Sequence, residues 1–133
     1  MNLLLDTHTW IWSQEDIDRL GPQTRRLLVG ADHENHVSTV STLELARLVS
    51  ARAVDLSIAL REWVDGALQA IQAQTVQVSH EIALEAYALP DPFHKDPADR
   101  LLAATARCHE LVLLTADERI LTYKGVRSRD ARK

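Results

Sequence analysis

The chain has 133 residues, of which 46% are hydrophobic, so it is long enough for one domain with a continuous apolar core. No apolar run approaches the roughly 20 residues that are needed to cross a bilayer. Asp6 interrupts the N-terminal apolar run before that run could form the core of a signal peptide. We therefore predict a single domain over residues 1–133, located in the cytoplasm and without a membrane segment.

The formal net charge is -4, but the charges are spread unevenly along the chain. Residues 124–133 form a basic C-terminal tail with a net charge of +4, which leaves -8 for the other 123 residues. An acidic body disfavours a protein that coats nucleic acid without specificity. The tail is expected to be a solvated, partly disordered end that can still touch phosphates or an acidic partner.

Apolar patterning predicts strands that alternate with helices along the chain. The first predicted strand, Asn2–Leu5, ends in a continuous apolar run, as in a strand that is buried on both faces. Further strands are predicted at 36–40, 75–78, 111–115 and, weakly, 125–127. Helices are predicted at 22–30, 41–49, 57–72, 82–89 and 97–106, with helical turns near 10–12 and 120–123. This order is typical of an α/β domain around a mainly parallel sheet.

Four carboxylates occupy similar places in this pattern. Asp6 follows the first strand, Glu44 lies in the first turn after the second strand, Asp99 lies in the first turn of a late helix, and Asp117 follows the last strong strand. The carboxyl ends of parallel strands meet near helix N-termini at one edge of the sheet, so we expect these acids to converge. Converging carboxylates must share protons, pair with cations or bind a metal. No basic residue recurs beside all four, and oxygen ligands of this kind suit Mg²⁺ or Mn²⁺ and phosphoryl-transfer chemistry.

Several of these residues also have a structural interpretation. Glu44 would complete a capping box that begins at Ser41, Asp96 would cap the helix that follows it, and Asp99 would be favoured by the helix dipole. Asp6 is harder to explain in this way, because a charge that ends a buried strand is costly. The joint pattern therefore favours a functional site.

Other polar residues are candidates to support the acids. Thr7 and Thr115 could donate hydrogen bonds to them, and Asp96 could assist from its position at the helix start. His8 and His94 flank the same predicted edge, where we expect them to be loop residues or to support the acids by hydrogen bonding. Candidate phosphate contacts are Lys95, Arg100 and the basic tail.

Four segments carry these residues in order along almost the whole chain. They read Leu3-Leu4-Leu5-Asp6-Thr7-His8, Ser41-x-x-Glu44-Leu45, His94-x-Asp96-Pro97-x-Asp99-Arg100 followed by Leu-Leu-Ala-Ala-Thr-Ala, and Leu113-Leu114-Thr115-Ala116-Asp117. Together they resemble a PIN domain, specifically a VapC-type toxin of a type II toxin-antitoxin system. The resemblance implies a three-layer α/β/α fold and a Mg²⁺- or Mn²⁺-dependent endoribonuclease. It also implies a homodimer that a VapB-like antitoxin protein holds inactive.

The resemblance further implies roles for the acids, since Asp6, Glu44 and Asp99 match the three central acids of the family and Asp117 matches a fourth, more variable position. On this hypothesis Asp6 and Asp99 hold the principal metal, Asp117 assists directly or through water, and Glu44 orients or deprotonates the attacking water. Two alternatives stay open. One is a PIN-like nuclease that acts in RNA processing or on DNA, and the other is a non-catalytic domain whose acids bind a basic partner.

Overall fold

A computed structural model describes all 133 residues and contains one five-stranded sheet. The strands are β1 (Asn2–Leu5), β2 (Glu34–Ser38), β3 (Gln74–Val76), β4 (Val112–Thr115) and β5 (Ser128–Asp130), and their order in the sheet is β3-β2-β1-β4-β5. Every neighbouring pair is parallel. The predicted α/β class is therefore confirmed, and the sheet is parallel throughout.

Seven α-helices connect the strands. They are α1 (Thr7–Glu15), α2 (Pro22–Val29), α3 (Thr39–Ser50), α4 (Leu60–Ala70), α5 (His80–Glu85), α6 (Pro97–Cys108) and α7 (Glu118–Leu121), with a single 3₁₀ turn at Ile17–Arg19. None of them combines the length and the apolar character that a bilayer crossing requires.

The helices cover both faces of the sheet, which gives the three layers that were predicted. Leu3 and Leu5 of β1 pack on one face with side chains of α1 to α4, whereas Leu4 packs on the other face with α6 and α7. Successive residues of a strand point to opposite faces. This explains why β1 is apolar at three consecutive positions, all of which are completely buried.

The start of α3 differs from the prediction. The second strand was predicted to run to Val40, but β2 ends at Ser38, and the Ser38 hydroxyl caps α3 by accepting a hydrogen bond from the Val40 N–H at 3.1 Å. The β-branched Val40 favoured a strand by propensity, but it packs in the core from the first turn of the helix. The predicted capping box is therefore wrong, because Ser41 lies inside α3 and Glu44 lies in its second turn.

The other observed helix and strand boundaries differ from the predicted ones by a few residues. The helix predicted at 57–72 is the shorter α4, and the helix predicted at 82–89 is α5, which Ser79 caps. The weak strand predicted at 125–127 is β5, at Ser128–Asp130. Helix and strand ends are the least certain part of any prediction from patterning alone.

The basic tail is ordered, so the expectation of a partly disordered end is wrong. Ala131 is completely buried, and the carbonyl groups of Ala131 and Lys133 accept hydrogen bonds from the N–H groups of Gly21 and Thr24, each at 3.0 Å. A Cβ atom at Gly21 would lie 2.1 Å from the Lys133 carbonyl carbon, so this close contact requires glycine. Backbone pairing with β4 and the start of α2 holds the end of the chain in place.

Candidate active site

The four predicted acids line one open cavity of about 490 Å³ at the carboxyl edge of the sheet. Each acid reaches the cavity from a different helix start or helix turn, as the crossover connections of a parallel sheet require. The complete lining consists of Asp6, Thr7, His8, Trp12, Arg19, Glu44, Arg47, Asp96, Asp99, Ala116, Asp117 and Arg119.

Asp6 directly follows β1 and caps α1. Its Oδ1 atom accepts a hydrogen bond from the Thr9 N–H at 2.8 Å, and its Oδ2 atom accepts one from the Thr115 hydroxyl. The residue is only 8% exposed, and no basic side chain forms an ion pair with it. Burial raises the pKa of Asp6, and the hydrogen bonds from Thr115 and Thr9 offset only part of that effect.

Asp99 lies in the first turn of α6, and the cap of that helix holds it there. The Asp96 carboxylate accepts hydrogen bonds from the N–H groups of Ala98 and Asp99 at 2.9 and 3.3 Å. The Asp99 Oδ2 atom lies 2.6 Å from Nε2 of His94. Burial raises the pKa of Asp99, the hydrogen bond with His94 lowers it, and the nearby charges of Asp96 and Asp117 raise it again. Asp96 thus acts as the predicted helix cap while it also lines the cavity.

Asp117 follows β4 and caps the short helix α7. Its carboxylate accepts hydrogen bonds from the backbone N–H of Arg119 at 2.8 Å and from the guanidinium of the same residue at 2.9 Å. These bonds hold the pKa of Asp117 below its ordinary value. The Asp117 N–H donates to the Thr115 hydroxyl oxygen at 3.0 Å, and that hydroxyl donates to Asp6. Thr115 therefore links two of the acids.

Glu44 reaches the cavity from the second turn of α3. The Thr7 hydroxyl donates to its Oε1 atom at 2.5 Å and lies 3.1 Å from the Ser41 hydroxyl. The other carboxylate oxygen of Glu44 has no hydrogen bond within the protein. Thr7, which directly follows Asp6, thus fixes the orientation of Glu44 across the cavity.

The tightest group of potential metal ligands consists of His94, Asp99 and Asp117, whose ligand atoms all lie within 4.8 Å of one another. Asp6 and Glu44 line the same cavity but lie outside this group. Carboxylate oxygens suit Mg²⁺ and Mn²⁺, and an imidazole nitrogen also suits transition metals. The donor set therefore fits a divalent cation.

The sequence interpretation missed the basic side chains of the cavity. Arg19, Arg47 and Arg119 line it, whereas Lys95 and the tail residues do not. Arg100 instead donates to the carbonyl groups of Ala86 and Phe93 at 3.0 and 3.1 Å and supports the loop before α6. Helical spacing could have indicated Arg47, because it lies three residues after Glu44 on α3 and therefore near the same face. No local signal indicated Arg19.

The comparisons with known proteins agree with this geometry. Residues 3–126 match the family model of the PIN domain. Ribonuclease VapC22 of Mycobacterium tuberculosis is 34% identical over 125 residues, which cover 94% of each chain.

Solved structures show the same fold at low sequence identity. A chain in the crystal structure of VapBC2 from Rickettsia felis, bound to a DNA fragment from the promoter, superposes with a TM-score of 0.74 at 14% identity, covering 97% of this chain and 98% of that one. A chain of a toxin-antitoxin complex from Klebsiella pneumoniae gives a TM-score of 0.65 at 20% identity, covering 97% of both. The chain therefore belongs to the PIN-domain family, in which its relatives are VapC-type proteins.

Proposed function

We propose that this protein is a divalent-metal-dependent endoribonuclease that acts as the toxin of a VapBC-like toxin-antitoxin pair. The observation that carries the proposal is the convergence of Asp6, Glu44, Asp99 and Asp117 on one cavity at the carboxyl edge of the sheet. The 34% identity to a ribonuclease of almost equal length supports RNA as the substrate. It also favours a toxin over a PIN-like nuclease of RNA processing.

A Mg²⁺ or Mn²⁺ ion at this site would neutralise charge on the phosphate and would ease deprotonation of a water. Asp99 and Asp117 would hold the ion together with Asp6, whose carboxylate is buried and has no basic partner. A buried, ionised carboxylate without a counter-charge is energetically unfavourable, so a bound cation would stabilise these acids. His94 and Thr115 would keep Asp99 and Asp6 in position through the hydrogen bonds described above.

Glu44 is the acid best placed to handle the attacking water. Its Oε1 atom is held by Thr7, whereas its second oxygen has no hydrogen-bond partner and lies in a residue that lines the cavity. That oxygen can accept a proton while the water attacks phosphorus and the P–O bond to the leaving nucleotide breaks. Thr7 would contribute by fixing the direction of the carboxylate.

We also propose a VapB-like antitoxin and a second copy of the chain as protein partners. A surface groove between α3 and α6 supports the homodimer, because it is lined by Val40, Leu43, Pro97 and Leu101, and Leu43 is 69% exposed. The similarity to chains of VapBC complexes supports the antitoxin. The cytoplasm is the location we propose, because a toxin of this kind meets its RNA target there.

The test is RNA cleavage by wild type and by Asp6→Asn, with cut sites mapped on total RNA. We expect the wild type to cut at defined positions only when Mg²⁺ or Mn²⁺ is present, and we expect the variant to cut nothing while its circular dichroism spectrum stays unchanged. Full cleavage by Asp6→Asn, with metal still required, would contradict the assignment.

A further inference from the structure

We propose that Trp12, His8 and Arg19 form a stacking subsite for one base of single-stranded RNA, next to the acids. The proposal rests on the proposed function for the class of substrate. It adds a place on the protein where the nucleotide beside the scissile phosphate is held, and it predicts that unpaired RNA is preferred.

The position of the three side chains is the first argument. All three line the same cavity as the acids. His8 and Trp12 lie one helical turn apart on α1, the helix that Asp6 caps, and their ring centroids are 6.1 Å apart at 39°. The Arg19 Cζ atom lies 5.4 Å from the centroid of the Trp12 ring. An aromatic and guanidinium surface of this kind is what proteins use to stack unpaired bases.

Trp12 also differs from the other two tryptophans of the chain. Trp10 and Trp63 are 0% and 3% exposed and pack edge to face with centroids 5.1 Å apart, so they belong to the core. Trp12 is only partly buried: it packs against that core and also borders the polar cavity. Trp10 is therefore a core residue, whereas Trp12 presents aromatic surface beside carboxylates.

The charges around this surface favour RNA as the occupant. The acids repel phosphate, so an RNA strand can enter only where positive charge compensates for them. Arg47 lines the cavity and has no ion pair, and Arg19 pairs only with Asp16 at 2.9 Å, with both side chains more than half exposed. Such exposed pairs are weak and exchange readily. Both arginines are therefore available to phosphates on either side of a stacked base.

The test uses a fluorescein-labelled single-stranded RNA of eight nucleotides and mixed sequence, in Mg²⁺, on a Glu44→Gln background that prevents cutting. Anisotropy gives the affinity, and intrinsic tryptophan fluorescence reports stacking. Trp12→Phe keeps an aromatic ring and is the matched control for Trp12→Leu, which keeps apolar packing without a π face. Arg19→Gln, at an exposed position, is a second variant that leaves the core untouched.

We expect the RNA to quench tryptophan fluorescence in the background protein and not in Trp12→Phe, where only the buried Trp10 and Trp63 remain. Trp12→Phe should keep the affinity within about threefold, and Trp12→Leu should lose about tenfold, as for removal of one base-stacking contact. Arg19→Gln should weaken binding by a smaller factor. A hairpin that pairs the same eight nucleotides should bind more weakly than the single strand.

Equal RNA affinity of Trp12→Leu and Trp12→Phe, or an absence of quenching, would overturn the subsite. So would a Trp12→Leu protein that loses only antitoxin binding, since the surface would then be a protein contact. Cleavage by the protein without these substitutions separates the two proposals. If it cuts no RNA, the proposed function fails, whereas cutting that is the same in Trp12→Leu and Trp12→Phe removes the subsite alone.

Discussion

Two Asp-x-Arg segments at the carboxyl edge of the sheet have almost identical local geometry and different surroundings. In Asp117-Glu118-Arg119, the arginine N–H and guanidinium donate to the aspartate at 2.8 and 2.9 Å. In Asp130-Ala131-Arg132, the same two bonds measure 2.9 Å each. The arginine lowers the pKa of the aspartate in both segments.

The two arginines differ in the second acid that each guanidinium approaches. Arg119 lines the cavity and lies 3.6 Å from the Asp99 carboxylate, whereas Arg132 lies outside the cavity and pairs with Glu118 at 2.5 Å. An acid with its own arginine is an ordinary surface feature. Asp6 and Asp99 differ from Asp117 and Asp130 in that burial raises their pKa, and Asp6 has no ion pair at all.

The largest predicted effect is the difference in RNA cleavage between Asp99→Asn and Asp130→Asn. Asp99→Asn removes a charged ligand from the cavity and should reduce RNA cleavage by about 10²–10⁴-fold, because a metal-stabilised charge contributes several kcal/mol to the barrier. Asp130→Asn is the matched control outside the cavity and should cut at the wild-type rate. Single-turnover cleavage of one mapped RNA measures both, and equal losses would remove the distinction between the two acids.

Thr115 should affect metal affinity, because its hydroxyl links Asp6 and Asp117. Thr115→Val keeps the shape and removes the hydroxyl between Asp6 and the Asp117 N–H, so Mn²⁺ affinity should fall about 10–100-fold, as when the support of a ligand is lost. Thr105→Val is the control, because Thr105 is equally buried and its hydroxyl donates only to the Leu101 carbonyl of its own helix. A similar affinity in both variants would show that Thr115 does not position the site.

Arg119 should compete with a metal for the acids it contacts. Its guanidinium must leave Asp117 or share it when a cation binds, so Arg119→Gln should bind Mn²⁺ up to about fivefold more tightly than wild type, the range expected for one exposed charge pair. Arg132→Gln removes the equivalent arginine of the other segment and should leave the affinity unchanged. Weaker binding by Arg119→Gln would mean that the arginine supports the metal site.

The smallest effect concerns stability against pH without metal. Because the folded state raises the pKa of Asp99, it binds that proton more tightly than the unfolded chain does, and the free energy of unfolding falls as pH rises from about 4 through the folded pKa. Asp99→Asn should therefore match the wild-type melting temperature at acid pH and exceed it at pH 7.

Asp117→Asn should show the opposite sign. Arg119 lowers the pKa of Asp117 in the folded state, so its charged form stabilises the protein above the unfolded pKa and that contribution is lost as pH falls through the folded pKa. The melting temperature of this variant should be below wild type at pH 7 and should converge with it in acid. Thermal unfolding in chelator across the pH range measures both variants, and a shift of the same sign in both would contradict the comparison.

The sequence was sufficient for the sheet and for the place of the acids. Continuous apolar residues in β1 and β4 require a strand with helices on both faces, and the rule for parallel strands then brings Asp6 and Asp117 to one edge. The start of α6 was equally clear, because Asp96 and Pro97 are strong helix-start residues and place Asp99 in the first turn.

What the sequence could not predict depends on contacts between distant segments. Val40 has the propensity of a strand residue and packs from a helix, which placed Glu44 one turn too early. The order of the tail depends on the close approach of Lys133 to Gly21, for which neither segment carries a local signal. Arg19 and Arg119 reach the cavity only because of how the fold places their helices and turns. The sequence therefore did not predict that these arginines line the site.

The central claim is that the converging carboxylates form a divalent-metal site, and Mn²⁺ titration by calorimetry tests it most directly. Wild type and Asp99→Asn are titrated at pH 7 after treatment with chelator, with Asp130→Asn as the control. We predict saturable binding by wild type and the control, and loss of that binding in Asp99→Asn. No binding by wild type, or equal binding by Asp99→Asn, would contradict the account and favour a domain whose acids bind a basic protein partner.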